Sequence, residues 1–161
     1  MKATGTWYGE YTYGEIYEAL AGKSVPFTMS LTESWLRRIV GYVRDDASKG
    51  GMPERGRILG SRRGTTIAYV KTMPIGYVTD ADGKRVETRN WLQRKYGIEN
   101  AASVPHCIEY VGELADDGQS ARGQWRIRPR VVAEDEQGQH VFGGGTGTWS
   151  ARRIADLPSE V

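Results

Sequence analysis

The chain has 161 residues, 39% hydrophobic and 26% charged, with a net charge of +2. This is enough apolar material for one folded domain spanning 1–161, and it excludes a disordered tail. One cysteine excludes an internal disulfide, and two histidines are too few for most histidine-rich metal sites, so neither a metal nor a cofactor is expected.

The dominant hydrophobic period is two, the signature of strands. The first strand, about 4–13, sets Trp7, Gly9, Tyr11 and Tyr13 on one face and Thr6, Tyr8, Glu10 and Thr12 on the other. A turn at Ala21-Gly22-Lys23 would place Tyr13 opposite Leu31, Glu15 opposite Met29 and Tyr17 opposite Phe27. The second strand, 25–34, alternates Phe27, Met29 and Leu31 with Thr28, Ser30 and Thr32. In the third, 38–45, continuing Ile39, Gly41 and Val43 puts Asp45 inside. Strands 55–62 and 65–73 flank Arg63-Gly64, and counting outward pairs Gly60 with Ile67, Ile58 with Tyr69 and Gly56 with Lys71.

Residues 74–104 form the one long excursion between strands. Within it, Val86 to Tyr96 is predicted to be a helix with Gly97 as its C-cap. Its apolar residues Trp91, Leu92 and Tyr96 need a surface to cover. A lid over one mouth of the fold satisfies that need, and so does an interface. Strands 106–115 and 120–134 follow, joined at Asp117-Gly118, a two-residue hairpin signal. Counting outward pairs Leu114 with Ala121, Gly112 with Gly123 and Tyr110 with Trp125 on one face. Glu113 with Arg122 and Glu109 with Arg126 fall on the other, so opposite charges meet. A last hairpin near Gln137-Gly138 leads into strand 140–153 and brings Trp125 to within one residue of Trp149. Pro129 or the run Gly143-Gly144-Gly145 would supply a bulge to absorb that offset; an anion-binding nest is the other use for three glycines.

The elements predict an all-β fold: an eight-stranded antiparallel meander β-barrel with one short helical insertion. Closure removes both sheet edges. A two-sheet sandwich is the alternative.

The opening Gly5-Thr6-Trp7 resembles the Gly-X-Trp start of the calycin barrels: lipocalins, fatty-acid-binding proteins and avidins. The resemblance implies a barrel that holds a ligand inside. It also implies a basic residue from the last strand over Trp7, here Arg152 or Arg153. The chain departs from the family at several points. It has no lipocalin Thr-Asp-Tyr in mid-chain, no disulfide, and no placeable set of biotin contacts. Haem barrels of the nitrobindin type need a late histidine ligand, and His140 falls in a turn region, so haem is not carried over.

The turn-derived registers converge on an interior that holds aromatic walls and a few polar groups. The candidate ligand-binding residues are Tyr13, Asp45, Tyr69, Lys71, Tyr110 and Trp125. A small hydrophobic or amphipathic ligand would stack on Trp7, Trp125 and Trp149 and hydrogen-bond Tyr69, Lys71 or Tyr110. The competing reading is a filled barrel in which Lys71 and Asp45 reach solvent at strand ends. No catalytic residue is assigned. A cofactor-free lyase or isomerase would use Lys71 or a tyrosine as its acid–base, helped by His106. A structural homo-oligomer would use the outward Tyr8, Val40, Tyr42, Val70 and Val111. Cys107 has the outward parity.

The basic clusters, Arg62-Arg63 and Arg126, Arg128 and Arg130, read as solvated strand faces, so nucleic-acid binding is not expected. No apolar run approaches the ~20 residues of a membrane-spanning helix. The N-terminus lacks a charged-then-apolar leader, which points to a cytoplasmic location.

Overall fold

Alternation over eight strands produces a closed antiparallel barrel in a computed structural model that describes residues 2–79, 84–97, 105–135 and 138–159. The strands are β1 Gly5–Tyr13, β2 Ser24–Glu33, β3 Arg38–Asp45, β4 Arg55–Arg63, β5 Thr66–Met73, β6 Tyr77–Thr79, β7 Arg85–Glu87, β8 His106–Leu114, β9 Ser120–Ile127, β10 Arg130–Asp135, β11 Gly138–Phe142 and β12 Thr146–Ala155. Helix α1 spans Thr88–Tyr96. Around the barrel the order is β1-β12-β9-β8-β5-β4-β3-β2, so each barrel strand pairs with the next one in the chain and the last closes on the first. No helix of the described residues is long and apolar enough to cross a membrane.

Two short ribbons leave this meander. Strands β6 and β7 pair within the insertion, which moves Val86 from the expected helix into a strand opposite Val78. The helix starts at Thr88 and ends at Gly97, whose φ of +67° makes it a left-handed C-cap. The second ribbon, β10–β11, replaces the outer half of the expected 120–134 and 140–153 hairpin. The chain leaves the barrel at Pro129 and returns through Gly143 and Gly144, both with positive φ.

Three of the expected registers shift, each for a local reason. The β1–β2 connection folds Glu15–Leu20 into a short 3-10 helix. The strands therefore pair Trp7 with Met29, Gly9 with Phe27 and Tyr11 with Val25. Tyr13 and Tyr17 do not face Leu31 and Phe27, and Glu15 is exposed in the connection rather than opposite Met29. The β4–β5 turn centres on Gly64-Thr65, with φ of +61° at Gly64, the glycine-first arrangement of a type II′ turn. Ile58 therefore faces Lys71, Gly60 faces Tyr69 and Gly56 lies nearest Met73. The slip is even, so the inside set is unchanged. Departure of the β10–β11 ribbon lets β12 pair Gly147 with Trp125 and Gly123 with Trp149. Each indole then lies on a glycine, Trp125 on Gly147 of the adjacent strand β12 and Trp149 across β9 on Gly112 of β8, where a Cβ would collide with the ring.

The β8–β9 register matches the sequence expectation at every pair counted. The connection is a four-residue loop, Asp116 to Gln119, symmetric about the same point as the expected two-residue turn. Arg126 and Arg128 both reach Glu109, Arg126 at 2.6 Å. Glu113 lies opposite Arg122 and accepts from Thr66 Oγ1. Cys107 is exposed.

One end of the barrel is plugged. Trp7 is 1% exposed, its Nε1 donates to the Ala3 carbonyl at 2.9 Å, and the Arg153 guanidinium covers the ring at 5.0 Å. The last-strand arginine over the first-strand tryptophan is the arrangement the calycin resemblance implies. Beside it, buried Glu33 accepts two hydrogen bonds from Arg62 Nε, one from Arg62 Nη2 and one from the Ala3 amide. Burial raises the Glu33 acid, but these donors overcome it and hold the carboxyl below its ordinary value. Its stabilising effect is therefore complete above the unfolded-state value of about 4.3 and is lost as pH falls through the lower folded-state value. Glu33→Gln is expected to lose roughly 3 kcal/mol at neutral pH, because the buried Arg62 loses the carboxylate that accepts from its Nε and Nη2. In urea melts the gap between wild type and variant should begin to narrow as pH falls below about 4, where the unfolded chain takes up the proton first, and should be gone only below the lowered folded-state value.

Candidate functional site

The other end of the barrel is open. It is built from the last residues of β1, β3, β5 and β9 and the first of β2, β4, β8 and β12. A cavity of about 490 Å³ enters here. Its inner wall is Tyr11, Tyr13, Ile108, Tyr110, Trp125 and Ile127. Its rim comes from four connections: Ile16, Tyr17 and Leu20 of the 3-10 turn, Met52 before β4, Tyr77, Arg85 and Trp91 of the insertion, and Val141, Gly143 and Gly145 of β11 and its return to β12. The described part of the insertion therefore lies at the mouth, with Leu92 of α1 buried and Trp91 facing the cavity, while 80–83 and 98–104 lie outside the described residues.

The aromatic rings brace one another. Tyr13 meets Tyr17 at 4.8 Å and Trp125 at 6.0 Å, and Tyr11 meets Trp125 at 6.1 Å, all three pairs edge-on. Deeper in, Tyr69 and Tyr110 stack at 4.9 Å and both lean on Trp149. Edge-on and offset contacts of this kind fix ring positions. Burial raises the hydroxyls of Tyr11, Tyr13, Tyr17, Tyr69 and Tyr110 above their ordinary value. At neutral pH they are protonated donors, not phenolates.

Behind the cavity sits one ion pair. Lys71 Nζ lies 2.6 Å from both Asp45 carboxylate oxygens, and the two residues are 2% and 5% exposed. The ammonium also faces the Tyr11 ring at 5.2 Å. Burial pulls the Lys71 ammonium below its ordinary value, and Asp45 offsets part of that. The pair does not reach solvent at strand ends, as a filled barrel would have it; it is paired inside.

Of the six sequence-predicted residues, Tyr13, Tyr110 and Trp125 line the cavity. Asp45, Tyr69 and Lys71 are buried behind that wall, as are Trp7 and Trp149. His106 is 3% exposed, lines the cavity, and pairs with Met73 one step nearer the mouth than the Lys71–Ile108 pair. Sequence reasoning missed the rim residues Met52, Tyr77 and Arg85. They belong to connections whose placement over the mouth is set by tertiary contacts, such as the Tyr77 hydroxyl on Glu54 and Arg85 Nη1 on the Gly51 carbonyl.

A second, larger groove of about 690 Å³ crosses the outer wall of β1, β12, β9 and β8. Its outward side chains include Tyr8 and the oppositely charged Glu10, Glu113, Arg122 and Arg152. Among the described residues no group of three or more His, Cys, Asp or Glu side chains is arranged to hold a metal ion. Comparison with protein-family models, with curated proteins and with solved structures finds no match.

Proposed function

We propose that this barrel binds a small hydrophobic or amphipathic molecule in the cavity at its open end. The observation that carries this reading is the unfilled volume of about 490 Å³ beneath the insertion, in a barrel whose other end is plugged. An eight-stranded barrel is just wide enough for side chains to fill it or for one small ligand. Here the side chains fill the plugged end and middle and stop short of the mouth. The walls are aromatic and aliphatic with a few hydroxyl donors, the mixture that small-molecule pockets use for affinity and orientation. The cross-braced rings are held before a ligand arrives, which limits the ordering cost of binding.

The neutral dye N-phenyl-1-naphthylamine brightens in apolar surroundings and tests the reading. It is expected to bind the full chain saturably with a stoichiometry of about one, as a single enclosed site requires. Met52→Trp, at the half-buried rim, should lower its affinity several-fold without changing the circular dichroism spectrum. Saturable binding that Met52→Trp leaves untouched would place the dye elsewhere, and no binding at all would leave the cavity without a ligand role.

A further inference from the structure

The cavity's rim carries a cation with donors to spare. Arg85, the first residue of β7, is half-buried and lines the cavity. Its Nη1 donates to the Gly51 carbonyl at 2.6 Å and to the Gly50 carbonyl at 3.2 Å, and its guanidinium covers the Tyr77 ring at 5.1 Å. Nε and Nη2 make no hydrogen bond to a described residue, and no described carboxylate lies within 4.0 Å. The nearby Tyr77 hydroxyl is committed to Glu54, to which it donates at 2.7 Å. Two neutral carbonyls and a ring face thus fix the direction of a charge that they do not neutralise. That charge is felt inside the barrel, where Arg85 lowers the Tyr13 hydroxyl against the rise from burial. Glu18, the one carboxylate on the rim, is exposed on the 3-10 turn.

A guanidinium held on one edge and free on the other is a receptor for a planar anion, since a carboxylate can take two parallel N–H donors. We propose that the bound molecule is an anionic amphipath: a carboxylate on an apolar body. Its head pairs with Arg85 at the mouth, and its body lies against Tyr17, Trp91, Trp125 and Ile108. This rests on the ligand-binding reading above and names its ligand class. The orientation follows from the polarity gradient. The cation sits at the rim, where a carboxylate keeps part of its hydration, and the apolar wall lies deeper.

Displacement of N-phenyl-1-naphthylamine from the full chain by decanoate, decan-1-ol and decylammonium separates the outcomes, because the three share one body and differ only in the head. At neutral pH and low salt, decanoate is expected to bind about tenfold tighter than decanol, as one charge-assisted pair allows, and decylammonium weakest. Arg85→Gln should bring decanoate to the level of decanol and leave decanol itself unchanged, which also shows that the site is still folded. Arg85→Lys should keep part of the preference. Added salt should narrow it in wild type, because the pair is partly exposed. If decanol and decanoate bind equally, if decylammonium binds best, or if Arg85→Gln leaves the preference intact, the anionic assignment is wrong while the ligand-binding reading stands. If neither the dye nor any of the three binds, both fall together.

Discussion

Asp45→Ala is expected to cost about 3–5 kcal/mol in urea melts at neutral pH, because breaking a buried ion pair leaves an uncompensated charge inside. Lys71 and Asp45 are almost fully enclosed, and the ammonium touches both carboxylate oxygens at 2.6 Å. Without Asp45 the ammonium faces only tyrosine rings and apolar wall. Burial already lowers the Lys71 ammonium, and removing Asp45 removes the influence that opposes it. The folded variant then sheds the Lys71 proton while the unfolded chain keeps it up to about pH 10. More protons on the unfolded chain means that stability rises with pH, so the deficit should shrink between neutral pH and about pH 10. The double variant Asp45→Leu/Lys71→Met is expected to recover most of the loss, because apolar side chains of similar size need no partner there. A single variant that melts like wild type would show that water reaches the pair.

The second large effect is at the plugged end. Trp7→Ala is expected to lose about 3–5 kcal/mol, the usual cost of emptying a buried indole site. The ring is 1% exposed, caps the Ala3 carbonyl, and is the floor on which Arg153 rests. Trp7→Phe should lose less, because a six-membered ring and its cation–π face remain and only the pyrrole half of the indole, with its Nε1 donor, is gone. Denaturant melts of the two variants test the ordering. A loss under about 1 kcal/mol for Trp7→Ala is far below the cavity range and would mean that the closed end is not packed around this residue.

Much of the barrel was legible in the sequence because parity survives errors of register. The β4–β5 pairing slipped by two residues and still left Ile58, Tyr69 and Lys71 inside, since an even slip keeps each side chain on its face. The β8–β9 pairing was read correctly although the loop type was not, because both loops share one centre of symmetry. The β1–β2 pairing failed because the 3-10 helix over Glu15–Leu20 takes up chain that simple counting assigned to strands. Asp45 and Lys71 were both placed inside by alternation, and the cost of burying either charge alone already required a partner. Glu33 and Arg62 carry the same inward parity as Leu31 and Ile58, so their pairing was within reach of the same count. Arg85 was not. Its position depends on how β6, β7 and α1 fold back over the mouth, and the contacts that hold it, the Gly50 and Gly51 carbonyls, lie far from it in the chain.

Titration of the isotopically labelled chain with N-phenyl-1-naphthylamine, followed by backbone amide shifts, tests occupancy of the barrel most directly. The expected result is a set of saturating shifts at the open end: Tyr13 and Tyr17, Met52, Ile108 to Tyr110, Trp125 to Ile127, and Trp91. The Glu33, Arg62 and Arg153 amides at the plugged end should stay still. Shifts confined to Tyr8, Glu10, Arg122 and Arg152 on the outer wall, or none that saturate, would contradict a ligand inside the barrel.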